Sequence, residues 1–366
     1  MKRRTFLQCG FAGAIGAPLL AALRDDRLDD AVEVLAKATA SGQVASAVLH
    51  AAQRQATLTK HFGKASSGEA MFLLGSISKP ICVTALMRLF DQGEFRLDDR
   101  LQKFLPKFAG NGREQVTLRQ VLTHVSGLPD QLAANAMLRK NHAGLAEFVE
   151  HAIRTPVEFV PGSKSQYSSM GILLATHVAE LISGTGILEL VEGTVMRPLG
   201  MQHSAQGLGR FSLQDVVPCQ TEFGAPESGA GDPTAKDWDW NSLYWRKLGA
   251  PWGGTHASAP DVGRFLAEFL SRQGVVVKPE TAQLMTSNQN GPGLTPRGLG
   301  FNVSAAAGSP GCSAKTFGHT GSTGTLAWAD PSTETICVVL TSLPGTAAHP
   351  HPRALAGAEV AAAAAR

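Results

Sequence analysis

Charge is scarce in this sequence. Charged residues make up 17% of the 366, and without Lys2, Arg3 and Arg4 the chain carries 30 basic against 30 acidic residues. Such balance leaves no electrostatic case for nucleic acid or an anionic membrane surface as a partner. Cysteines are few, five in all, with no C-x-x-C and no histidine pair at metal-ligand spacing beside them. A metal site is therefore not expected, and no motif calls for another cofactor. Internal repeats are absent; the one low-complexity stretch is the Ala-rich end from Ala354 to Ala365, whose composition favours helix. Long apolar runs are missing too. The one candidate, Cys9 to Leu23, is rich in glycine and alanine and too short to span a bilayer comfortably.

That run follows Arg3-Arg4-Thr5-Phe6-Leu7, and together they read as a twin-arginine export signal over residues 1–23. No clean A-x-A site follows, so an uncleaved N-terminal anchor is the alternative, while Phe6-Leu7-Gln8 is a poor lipobox for Cys9. The expectation is an exported, periplasmic protein with no stable membrane span in the mature chain. Cys82, Cys219, Cys312 and Cys337 would remain after cleavage. An even number permits disulfides in an oxidising compartment. Cys82, however, lies among helix-core residues and Cys337 inside an apolar strand, where buried free thiols are commoner.

What is present is globular material: 43% of residues are hydrophobic, enough to build one large or two interleaved domains. Leu28 to Ala38 reads as an amphipathic helix, and Gln43 to Phe62 as a hairpin around the polar centre Gln53-Arg54-Gln55. Leu299 to Val303, Gly324 to Ala329 and Thr335 to Thr341 read as strands, the last two joined by an Asp330-Pro331-Ser332 turn. Between Ser76 and about Leu270 the period is helical, over Val83–Phe90, Leu118–Leu122, Leu145–Ile153, Ile172–Ile182 and Val262–Leu270. The fold expected is α/β (α+β), an antiparallel sheet drawn from both chain ends and flanked by helices. Residues 24–84 and 255–366 would form that part, and 85–254 a mainly helical insertion. Gly207 to Gly254, rich in glycine, proline and tryptophan, reads as irregular chain bordering a cleft. His349-Pro350-His351-Pro352 reads as a solvated turn rather than a metal site.

Ser76-Ile77-Ser78-Lys79 opens the helix that ends at Gln92-Gly93. Ser76 therefore sits at a helix N-terminus, with Lys79 one turn on and on the same face. A serine hydroxyl is a weak nucleophile near neutral pH and needs an adjacent base; burial and the helix dipole can lower a lysine's pKa towards that role. The pattern alone decides little. With 25 serines and 13 lysines, about one S-x-x-K arises by chance in a chain of this length, and one is found.

Other segments give it context. Phe72-Leu73-Leu74-Gly75-Ser76-Ile77-Ser78-Lys79 resembles the nucleophile motif of class C β-lactamases and their esterase and peptidase relatives in the penicillin-binding-protein superfamily. Leu122-Thr123-His124-Val125-Ser126-Gly127-Leu128 resembles that family's L-L-T-H-x-S-G-L segment. Tyr167-Ser168-Ser169, approached through Pro161-Gly162-Ser163, resembles its Y-x-N. Trp252-Gly253-Gly254-Thr255-His256-Ala257-Ser258 resembles its A-G-G segment, and His319-Thr320-Gly321 its K-T-G box in the H-T-G form. The five occur in the family's order and cover most of the chain from about Leu28 to Leu343.

The resemblance implies a serine hydrolase working through an acyl-enzyme. Ser76 would be the nucleophile, with Lys79 and Tyr167, one of only two tyrosines, as bases. It implies an oxyanion hole from the amides of Ser76 and Ser322, and a cleft wall of His319, Thr320 and Gly321 in which the glycine permits close backbone approach. His124 stays outside the catalytic set, as mainly architectural. Two departures bear on recognition. Ser169 replaces an asparagine that would contact the lysine and the substrate amide, and His319 replaces a fixed positive charge. Both favour an ester, amide or peptide substrate of small size over an efficient β-lactamase. A G-x-S-x-G elbow is absent, which argues against an α/β-hydrolase. The alternative from another class is a non-hydrolytic binder of cell-wall peptides.

Overall fold

The computed structural model describes residues 28–224 and 229–364. The export segment expected over residues 1–23 lies outside them. Among the described residues nine strands form two sheets. The larger combines β1 (Ser46–Gln53), β2 (Ala56–Gly63), β6 (Asn302–Val303), β7 (Phe317–Gly321), β8 (Thr325–Asp330) and β9 (Thr335–Thr341). Its order is β2-β1-β9-β8-β7-β6, antiparallel throughout. The smaller sheet, in the order β3-β5-β4, uses β3 (Phe72–Leu73), β4 (Ser204–Gln206) and β5 (Thr255–Ala257).

The large sheet is assembled from both ends, as the sequence pattern predicts, because β1 pairs along its length with β9, from Ala47 opposite Thr341 to Gln53 opposite Thr335. Alternation sends Ala47, Leu49 and Ala51 to one face and Val48 to the other. On the first face lie α1 (Asp29–Ala40) and α11 (Pro352–Ala364), burying Leu35, Trp328, Val339 and Val360 in one cluster. The other face packs against the main core, to which α9 (Ala259–Ser271) contributes Val262, Phe265 and Leu266. With both faces covered, every residue of β9 is buried, so Thr335–Thr341 is nearly continuous in apolar side chains rather than alternating.

The chain between the sheets is mainly helical: α2 (Ser78–Asp91), α3 (Leu118–Leu122), α4 (Asn135–Lys140), α5 (Leu145–Arg154), α6 (Ser169–Ser183), α7 (Ile187–Val191) and α8 (Leu243–Leu248). Behind α9 comes α10 (Pro279–Met285). Helix α2 is the hub, with all of Ser78–Met87 buried, and packs against α6. Among the described residues no single helix is long and apolar enough to cross a membrane; α6 with the segment Ile187–Met196 meets that test only as a pair bent by 83°.

Three expectations change. Of Leu299–Val303 only Asn302 and Val303 pair as strand, because Gly300 turns at φ +80° against Val83 of α2. Gly324 is a turn residue at φ +99°, and β8 starts after it. The turn at His349–Pro352 is not wholly solvated: His351 is buried with its ring against the Leu343 carbonyl, and Pro352 opens α11. Cys82 and Cys337 are buried free thiols, in keeping with the sequence reading.

Candidate active site

A 3₁₀ turn, Gly75–Ile77, feeds directly into α2 and places Ser76 at the helix entrance. Lys79 follows within the first turn and is fully buried. Its ammonium nitrogen donates to Ser76 Oγ at 2.9 Å and to the Trp252 carbonyl at 2.9 Å. Burial drives the Lys79 pKa down from 10.5 to about 7, opposed by the nearby Asp130 carboxylate and reinforced by the Arg297 charge. Around neutrality a large fraction of this amine is uncharged while sitting within hydrogen-bond reach of the serine hydroxyl.

Tyr167 stands just ahead of α6, whose N-cap Ser168 accepts from the Gly171 amide at 3.0 Å and donates to the Pro129 carbonyl at 2.8 Å. Its ring lies 4.7 Å below Lys79 Nζ and packs on His124, centroids 4.5 Å apart. The phenol oxygen is buried without a fully formed hydrogen bond. Burial raises its pKa, and the Ser76 hydroxyl beside it offsets part of that rise. His124 Nδ1 accepts the Ser168 amide at 3.1 Å, so the ring is neutral, consistent with burial holding its pKa well below 6.5. It fixes the backbone next to Tyr167 through that contact.

The turn after β7 closes the opposite side. A Cβ on Gly321 would fall 2.1 Å from the Leu74 carbonyl, so only glycine lets β7 lie this close to the Ser76 turn. A Cβ on Gly75 would lie 3.1 Å from the Ser322 amide nitrogen, which places that amide beside Ser76. Ser322 and Thr323 line the cavity at Ser76; His319, Thr320 and Gly321 do not. His319 is buried, its Nδ1 bound to the Thr320 carbonyl and its pKa lowered to about 3 by burial, so its ring is neutral. Thr320 faces solvent. The cleft wall expected of His319 to Gly321 is thus contributed one step later, by Ser322 and Thr323.

The cavity holds about 150 Å³. Ser169 lines it, but its hydroxyl donates to Asp130 Oδ1 at 2.6 Å, and its amide to the same oxygen at 2.9 Å, rather than contacting Lys79. Beyond the residues read from sequence, Asp130, Arg139, Trp240 and Trp245 also border it. The Arg139 guanidinium stacks 3.7 Å over the Trp245 ring, and Trp245 meets Trp252 edge-on at 6.2 Å. Trp240 and Trp245 fall within the stretch from Gly207 to Gly254 expected to border a cleft, while no motif or periodic pattern singled out Asp130 or Arg139. Larger clefts of about 450 and 550 Å³ open elsewhere, and neither reaches Ser76. Among the described residues no group of three or more His, Cys, Asp or Glu side chains could hold a metal ion.

The Ser76 hydroxyl, the Tyr167 phenol and the Ser322 segment thus meet at one small cavity, with the buried amine of Lys79 hydrogen-bonded to that hydroxyl. The Beta-lactamase family profile matches residues 28–362. The chain belongs to the β-lactamase family. Among curated relatives, an Escherichia coli (strain K12) protein named for a D-alanyl-D-alanine carboxypeptidase activity is 25% identical over 77% of this chain and 70% of its own length. Esterase EstB of Burkholderia gladioli is 29% identical over 50% of this chain and 48% of the esterase. Among solved structures, the D-amino acid amidase of Ochrobactrum anthropi superposes with a TM-score of 0.76 at 21% identity, covering 93% of this chain and 99% of the amidase. A penicillin-binding-protein homologue from Caulobacter crescentus gives 0.74 at 22% identity, over 94% and 99%. Those two likenesses establish the β-lactamase-type fold.

Proposed function

We propose that this member of the β-lactamase family is a serine hydrolase that cleaves a small ester or amide through an acyl-enzyme on Ser76. The observation that carries the reading is the 2.9 Å contact between Ser76 Oγ and a fully buried Lys79 whose pKa is about 7. Neutral Lys79 takes the hydroxyl proton as Oγ bonds to the substrate carbonyl carbon. The carbonyl oxygen becomes an oxyanion facing the amides of Ser76 and Ser322. As the tetrahedral centre collapses, the proton passes through Lys79 and the Tyr167 hydroxyl to the leaving group, whose bond to carbon breaks. Water then adds to the acyl-enzyme with the proton flow reversed, releasing the acid and restoring Ser76. Relatives named as an esterase and an amidase support the ester or amide class. The cavity is small, about 150 Å³, which suits a short acyl group with the rest of the molecule outside.

The test is covalent labelling with a fluorophosphonate and with labelled penicillin, alongside turnover of p-nitrophenyl acetate and butyrate, nitrocefin and D-amino-acid peptides. Wild type should label and turn over esters or amides, and Ser76→Ala should do neither. Equal labelling of both proteins would remove Ser76 from the nucleophile role, and labelling without turnover of any substrate would favour a sensor of β-lactams or cell-wall peptides. We infer also that Arg3 and Arg4 direct export to the periplasm. A fusion of residues 1–30 to a reporter should be exported and lose export on Arg3→Lys/Arg4→Lys; retention of export in that variant would refute it.

A further inference from the structure

The proton machinery is flanked by a cation that the mechanism above leaves unused. Arg297 lies in the strap between α10 and β6, pinned on both sides. Its amide donates to Asn288 Oδ1 at 3.0 Å, its carbonyl accepts from the Gln289 amide at 2.7 Å, and its guanidinium donates to the Asn302 side-chain oxygen. Its charge centre sits 5.5 Å from the centroid of the Tyr167 ring. Among the described residues no carboxylate forms an ion pair with it, so its charge stands unneutralised against the aromatic ring. The strand on that side of the cleft offers no other cation, since His319, 6.1 Å from the same ring, is neutral.

We propose that Arg297 is a positioning residue that supplies the fixed positive charge of the cleft, and that this charge, held against Tyr167, adds to burial in keeping Lys79 in the form able to accept the Ser76 proton. The proposal rests on the Lys79–Ser76 reading. The groups that face Tyr167 and Lys79 are Ser76 and Cys82 from the α2 segment, His124 from the loop after α3, Asp130, His319 of β7 and Arg297 itself. His124 and His319 are neutral, and the buried Cys82 thiol is pushed far up by burial and stays protonated. The fixed charges are therefore Asp130, which favours the Lys79 ammonium, and Arg297, which opposes it and favours an ionised phenol. Removing Arg297 leaves the carboxylate alone, so Lys79 should hold its proton to higher pH.

The experiment compares wild type, Arg297→Gln and Arg297→Lys by two readouts. The first follows Lys79 directly, by the pH dependence of side-chain carbon shifts in protein carrying ¹³C-lysine, with Lys79→Met to assign the signal. The second is the pH profile of kcat/KM for p-nitrophenyl acetate. Arg297→Gln should move the Lys79 titration and the acidic limb of the profile upward together by about 0.5 to 1 pH unit, and Arg297→Lys should restore most of the shift. A titration unmoved in Arg297→Gln, or moved equally in Arg297→Lys, overturns the proposal, as does a lower plateau with no shift of the limb. The lysine titration needs no turnover. A chain that hydrolyses nothing would sink the functional reading while the charge effect of Arg297 is still decided.

Discussion

At the scale of single residues, Lys79 works against the fold. An amine that titrates near 7 in the native protein and at 10.5 when solvated is bound by more protons in the unfolded chain at every pH between those values. Stability attributable to Lys79 therefore rises as pH rises from about 7 to 10.5, and the full burden of burying the group is felt below 7. Lys79→Met fills a similar volume without the charge. It should abolish esterase turnover yet raise thermal stability, with a larger gain at pH 6 than at pH 10. Differential scanning calorimetry at the two pH values checks this, and a gain independent of pH would place the Lys79 pKa elsewhere. Ser76 and Lys79 were legible in the sequence because five segments in the order of one family gave context to a single S-x-x-K, whose helix entrance and three-residue offset then fix their mutual geometry. Asp130, Arg139 and Arg297 were not, because Asp130 and Arg297 come from loops and Arg139 from the short helix α4, whose positions are set by contacts distant along the chain.

At the scale of elements, the sheet strands that carry period-two patterning were readable, and so was the β8–β9 connection, where Asp330 accepts from the Ser332 amide at 2.9 Å. The small sheet was not. Its strands are two or three residues long and meet only through pairings such as Leu73 with His256 and Ala205 with His256, from segments far apart in sequence. Yet this sheet holds the site together through one side chain. Gln206 of β4 accepts from Thr255 Oγ1 at 2.6 Å and from the Cys82 thiol at 3.3 Å, and donates to the Gly249 carbonyl at 2.6 Å and that of Ala250 at 3.2 Å. Those last two residues begin the turn that presents the Trp252 carbonyl to Lys79. Gln206→Ala would strand several buried polar groups, a loss of about 2–4 kcal/mol at roughly 1–3 per unsatisfied group after relaxation. Urea denaturation should register that loss. Because the turn then holds Lys79 less firmly, kcat should fall about 10-fold or more with KM little changed. A variant with full kcat would show that Lys79 does not depend on the Trp252 turn.

At the scale of the whole molecule, the strands from both halves of the chain close the sheet, and the C-terminal segment also braces the cavity. The segment leading into α11 returns beneath the β7–β8 turn. The Gly345 amide donates to the Ser322 carbonyl at 2.8 Å, and the Arg353 guanidinium donates to the carbonyls of Gly321 and of Thr325, the latter at 2.8 Å. Burial lowers the Arg353 pKa to about 10, so it remains charged near neutrality. Both carbonyls bracket Ser322, whose amide is proposed to meet the oxyanion, so a residue of the last helix controls a donor in the first half of the mechanism. Arg353→Met keeps the apolar stem and removes the donors. It should lower kcat for p-nitrophenyl acetate by roughly 10-fold, since loss of a positioned oxyanion donor is felt in the transition state, while KM holds nearly constant. The rate of fluorophosphonate labelling at Ser76 should fall in parallel, because as Oγ bonds to phosphorus and fluoride leaves, charge also develops on the phosphoryl oxygen. The Lys79 titration should stay near 7, since Arg353 is not among the charges that perturb it. A fall in kcat accompanied by a moved Lys79 titration would mean that the C-terminal brace acts on the base rather than on the Ser322 amide.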